Sequence, residues 1–118
     1  TDDWAEYQRR TASMDRADWQ NGKQQIDEVE RALVEAFNHG VQPGSEEANA
    51  LAERHRASLF FFEVTPAKHA ILARGYVEDA RFKAYYEKLV TGLAEWLREV
   101  IYENARAHGV DPLEATWS

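Results

Sequence analysis

Cysteine is absent from this 118-residue chain, and that absence removes disulfides, thiolate zinc sites and a cysteine nucleophile together. It agrees with a reducing compartment, and a cytoplasmic protein is expected. Proline occurs three times and glycine six, so helix breakers are sparse and local. Basic residues are outnumbered: fourteen Lys and Arg stand against twenty-one Asp and Glu, for a formal net charge of -7. A surplus of acid repels phosphate backbones, so this chain is not expected to touch nucleic acid directly. No apolar run approaches the length needed to cross a bilayer and no signal-peptide pattern opens the sequence, so no membrane association is expected.

What is there is helical. At 44% hydrophobic and 30% charged, the chain suits one domain around one core, and the segments between breakers repeat at helical rather than alternating spacing. An all-α domain of about five to seven helices is expected over residues 1–118, with an N-terminal helix within 1–14 and a tail over 109–118. Asp15 and Asp18 are spaced as a capping box with Asp in place of Glu, opening a long helix that ends near His39 and Gly40. Its stripe is Trp19, Ile26, Val29, Leu33, Ala36 and Phe37. Pro43-Gly44-Ser45 reads as a turn plus an N-cap, and Glu46 and Glu47 then fall where the helix dipole favours acid. That third helix presents Ala48, Leu51, Ala52, His55, Leu59 and Phe62. Thr65-Pro66 is the N-cap and N1 of a fourth helix, because proline's missing N–H costs nothing there. His69, Leu72, Ala73 and Tyr76 make its face. Asp79 caps a short fifth helix through Phe82, Tyr85 and Tyr86, and a last long one carries Leu89, Leu93, Trp96, Leu97, Val100, Ile101 and Asn104. Gly92 marks a kink or a boundary between them.

Phe60-Phe61-Phe62 is the most informative run. Successive helical side chains diverge by about 100°, so three rings in a row cannot all enter one core, and one of them should line a second surface. Ile26, Leu33, Leu51, Leu93 and Trp96 fit a buried stripe, whereas Phe60, Phe61 and Tyr86 fall off the main stripes. Aromatics grouped around polar handles suit a small-molecule cleft or a protein interface.

The chemical constellations are weaker. His55 and His69 invite a metal, yet no histidine pair stands at i,i+3 or i,i+4 and no third ligand follows from spacing, so no metal is expected. A haem held by His69 or His55 in an all-α pocket is a rival reading. Serines lack an elbow motif, no glycine-rich phosphate loop occurs, and carboxylate pairs such as Glu46 with Glu47 read as helix-start charges. No catalytic residue and no cofactor is expected, and the chain is read as a non-enzyme. A further rival is an interaction domain whose aromatics face a partner helix.

A set of short ordered motifs resembles a known family: Thr11-Ala12-Ser13, Asp18-Trp19-Gln20, His55-Arg56, Thr65-Pro66 with His69, Gly75-Tyr76-Val77, Asp79 with Arg81-Phe82, and Gly92-Leu93-Ala94. Over residues 4–108 the chain resembles the TipAS antibiotic-recognition domain. The resemblance implies a globin-like all-α fold and reversible binding of a hydrophobic, antibiotic-like molecule, thiopeptides in the founding case. Such domains form the effector-sensing half of MerR-type transcription regulators, or stand alone as drug-sequestering proteins. DNA contact would come only through a winged helix-turn-helix half, absent from these residues; the oligomeric state is not implied. The founding member captures dehydroalanine-containing ligands with a cysteine just before its fourth-helix start. This chain has Val64 in the matching place, so thiol addition is excluded. The segment from His55-Arg56 to Thr65 also looks shorter than is usual in the family. On this reading Phe60, Phe61 and Phe62 form an apolar wall with Val64 near the mouth. His55 and His69 add polar contacts, and Leu72, Tyr76, Phe82, Tyr86, Trp96 and Tyr102 are candidates for the facing wall.

Overall fold

Helix signals in the sequence are realised almost residue for residue. The computed structural model describes residues 2–117, and these form six helices: α1 (Asp2–Ala12), α2 (Arg16–Asn38), α3 (Glu46–Ser58), α4 (Pro66–Glu78), α5 (Ala80–Leu89) and α6 (Leu93–Ala107). Among the described residues there is no strand and no helix long and apolar enough to cross a membrane.

The caps explain where the helices start. The Asp18 amide donates to Asp15 Oδ1 at 2.9 Å and the Asp15 amide donates to Asp18 Oδ2 at 3.1 Å, which is the reciprocal capping box in aspartates. Ser45 Oγ accepts from the Ala48 amide at 3.1 Å, and Thr65 Oγ1 from the Lys68 amide at 3.2 Å. Gly92 turns the chain into α6 with φ +93° and offers no side-chain cap. The Glu87 carboxylate substitutes: it accepts from the Gly92 amide at 3.0 Å and the Ala94 amide at 3.1 Å. These bonds hold its pKa below the usual carboxylate range.

Two boundaries differ from the sequence reading. The third helix stops at Ser58, so Leu59 is its C-cap and Phe62 lies in the following turn rather than on the helix face. Leu89 ends α5 instead of belonging to the last helix, and of the two readings of Gly92 the boundary between helices is the one realised.

The apolar face of α6 is the centre of the core, with Leu93, Leu97, Val100 and Ile101 fully buried. Side chains of this size contribute about 1.5–3 kcal/mol each on burial. Around α6 pack α4 and α3, and Leu33 of α2 closes the cluster. Because α2 lies mainly on α3 while α5 lies on α4 and α6, α2 and α5 face each other across a cleft. Helix α1 buries none of its residues. It is held by Lys68, whose Nζ lies 2.8 Å from Asp3 Oδ1, and by the C-terminal tail, whose Trp117 indole donates to Asp3 Oδ2 at 2.6 Å.

Candidate functional site

The turn after α3 delivers the three phenylalanines to the mouth of the α2–α5 cleft, and each ring leaves in its own direction. Phe60 lies against α2, its ring 5.7 Å from that of Trp19. Gly22 makes this approach possible, since a Cβ there would stand 2.5 Å from Phe60 Cε1. Phe62 turns to the tail, 5.8 Å from the Trp117 ring. Phe61 sits between, 4.3 Å from the Phe60 ring and 6.0 Å from Tyr7 of α1.

Three apolar grooves share Phe61 as a wall. The largest, about 570 Å³, runs between α2 and α5 and is lined by Ile26, Leu59, Phe61, Tyr76, Phe82, Tyr85 and Tyr86, with Arg81 at its edge. A second, about 510 Å³, lies under α1 among Asp3, Trp4, Tyr7, Phe61, Phe62 and Trp117. The third, about 370 Å³, follows α2 past Trp19, Lys23 and Ile26 to Phe60 and Phe61. Grooves of this size and composition suit drug-sized apolar ligands.

Behind the largest groove runs a buried polar chain. His55 Nδ1 and His69 Nε2 are 2.8 Å apart, and His55 Nε2 is 3.4 Å from the Tyr86 hydroxyl. Both histidines are buried. Burial lowers the His55 pKa to about 4, and burial followed by the neighbouring His55 puts His69 well below the ordinary value. Both rings are therefore neutral at pH 7, one donating to the other. If Tyr86 donates to His55 Nε2, then His55 Nδ1–H donates to His69 Nε2, which fixes both tautomers. Neither His55 nitrogen can then bind an iron without breaking this chain. Burial pushes the Tyr76 hydroxyl up to about 12 and raises that of Tyr86 further, so both present neutral hydroxyls. At the cleft's other side the Tyr85 hydroxyl donates to Glu30 of α2, 2.7 Å from Oε1.

The candidates from the sequence are thus partly gathered. Phe61, Tyr76, Phe82 and Tyr86 share the largest groove, while Phe60 and Phe62 line the two beside it. Tyr86, expected off the core, is only 5% exposed and serves both core and groove. His55 and His69 stand behind the wall. Val64, expected near the mouth, is buried, and its carbonyl accepts from Arg56 Nη1 at 2.8 Å. Tyr102 packs in the core and Leu72 against it. Trp96 lies at the other end of α2, with its ring 5.7 Å from Phe37 and its indole donating to the Val41 carbonyl at 2.9 Å. Groove residues not singled out from the sequence are Ile26, Leu59, Tyr85, Trp4, Tyr7, Trp19 and Trp117. Tyr85 alone carried a signal, as an aromatic next to Tyr86 that cannot share its face.

Comparison with known proteins gives a consistent picture. The family model described as the TipAS antibiotic-recognition domain matches residues 1–104. The HTH-type transcriptional activators TipA of Streptomyces coelicolor and Streptomyces lividans are each 32% identical over 110 residues. That alignment takes in 92% of this chain and 44% of each activator, so the chain spans less than half the length of these relatives. A solved structure from Streptomyces lividans, nosiheptide in complex with TipAS, superposes with a TM-score of 0.81 at 32% identity. It covers 92% of this chain and 77% of that one. With fold, family model and relatives in agreement, the chain belongs to the TipAS antibiotic-recognition domain family.

Proposed function

We propose that this domain is a reversible receptor for a large, ring-rich, apolar antibiotic, bound in the grooves that meet at Phe61. The observation that carries this is the convergence of three apolar grooves on one aromatic side chain. A ligand bridging any two of them would stack on Phe61. The similar TipAS structure holds the thiopeptide nosiheptide, which makes a thiopeptide the first molecule to try.

Recognition is non-covalent on this reading, because these residues contain no cysteine and an aliphatic side chain cannot add to a dehydroalanine. The domain performs no catalytic step; its output is a change in free energy on binding. Its alignment with part of two transcriptional activators supports a role as the effector-sensing part of a MerR-type regulator, in which binding shifts the population of states available to a DNA-binding half. A second role, drug sequestration, is favoured by one observation: the similar structure is described as part of a thiopeptide multidrug resistance system.

Titration with nosiheptide under thermal unfolding tests the receptor reading. At a free concentration about a hundredfold above Kd the native state gains about 2.7 kcal/mol. A domain of this size should then melt roughly 10 °C higher. Intact mass after denaturation should equal that of the free chain; a mass increase by one ligand would refute reversible binding.

A further inference from the structure

Glu30 presents a problem in electrostatics that the receptor reading leaves unsolved. The residue is only 7% exposed, and among the described residues the one hydrogen-bond donor to its carboxylate is the neutral Tyr85 hydroxyl, which reaches both oxygens. Among the described residues Glu30, Asp27 one turn earlier and Arg31 next to it form no ion pair. An ionised carboxylate accepts several hydrogen bonds, and burying one without a countercharge is costly.

Beside Glu30 opens a groove of about 360 Å³ lined by Asp27, Glu30, Arg31, Val34 and Leu89. In this groove two carboxylates, Glu30 and Asp27, stand against one guanidinium, that of Arg31. Leu89 of α5, 40% exposed, lines it, and the Tyr85 ring, 48% exposed, adjoins it through its hydroxyl on Glu30. The Tyr85 hydroxyl on Glu30 ties this groove to the largest apolar groove, which the same tyrosine lines. The other guanidinium on that side, Arg81, is held by Asp79 at 3.0 Å. An electron-rich ring face and a carboxylate one hydrogen bond apart attract the same kind of charge.

We propose that the cleft selects amphipathic ligands bearing a positive charge, an organic ammonium, phosphonium or similar cation, with the cationic end placed between the Tyr85 ring and Glu30 and the aromatic body running toward Phe61. The inference rests on the receptor reading, since it assigns chemistry to the far end of the same cleft. The Tyr85 hydroxyl acts as a stand-in donor that the cation's charge relieves.

Tetraphenylphosphonium and tetraphenylborate, alike in shape and opposite in charge, separate the possibilities by calorimetry. The cation should bind at least about tenfold more tightly than the anion. Glu30→Gln keeps size and an acceptor for Tyr85 while removing the charge, and should cost the cation about tenfold. Glu28→Gln changes net charge equally from an exposed position on α2 and should leave that ratio unchanged. Equal affinity for the two ions, or equal losses in both variants, would overturn the inference. If either result came with intact nosiheptide binding, the receptor reading would stand without it; if neither ion nor nosiheptide bound, both would fall.

Discussion

Phe61 is the residue on which the proposed function turns. Because it is only partly buried and walls all three grooves, Phe61→Ala removes binding surface at small cost to the fold. Losing that ring should weaken nosiheptide binding by about 1–3 kcal/mol, on the area scale for apolar contact. The histidine pair makes a second prediction at this scale, in stability. Its folded pKa values lie below the unfolded value of 6.5, so the unfolded chain binds more protons as pH falls past 6.5. The stability from keeping the pair neutral is fully present above pH 6.5 and is lost as pH falls toward 4. For His55 alone the loss between pH 6.5 and 5 is about 2 kcal/mol. Glu30, raised by burial, contributes a slope of the opposite sign. Urea unfolding of the chain against a His55→Asn, His69→Asn double variant isolates the pair, and the variant should show a flatter profile over this range. Equal slopes would show that the histidines are not the titrating groups.

At the scale of elements, helix starts were legible because capping is local chemistry. Asp15 with Asp18, Ser45, and Thr65 with Pro66 each bond within a few residues, and a sequence displays such neighbours directly. The end of α3 was less legible. Leu59 and Phe62 keep the helical spacing of the preceding stripe, so periodicity ran past Ser58, whereas the turn that follows Ser58 sends the three rings to different partners. Gly22 was invisible for the same reason, since its use depends on Phe60, far along the chain. Gly22→Ala should leave the helix intact and gain about 1 kcal/mol of propensity, but the new Cβ would displace the Phe60 ring. The expected outcome is unchanged or higher helical circular dichroism with weaker nosiheptide binding; tighter binding would contradict the role given to Phe60. Helix α1 offers a separate test. It buries no residue and is pinned through Lys68, Asp3 and Trp117, so Lys68→Ala should speed proteolysis within residues 2–12 while lowering global stability by only about 1 kcal/mol.

At the scale of the whole molecule, a cleft opens between α2 and α5 because the two helices pack on different neighbours. That arrangement follows from long-range packing, which explains why wall residues were only partly predicted. Phe61, Tyr76, Phe82 and Tyr86 were legible as aromatics near a turn or on α4 and α5. Trp96, equally aromatic, is directed instead to Phe37 and Val41, and no local signal distinguishes the two cases. Trp117 reaches Asp3 from the opposite end of the chain, a contact only the folded molecule reveals. Val64 shows how the two sources combine: sequence excludes thiol chemistry, and the fold shows the side chain buried. Reversible capture by an aromatic cleft is the function proposed on that basis. Calorimetric titration of nosiheptide into the chain and into its Phe61→Ala variant addresses this most directly. The account predicts saturable, one-to-one binding to the parent and at least about tenfold weaker binding to a folded variant; equal affinity for both would contradict it.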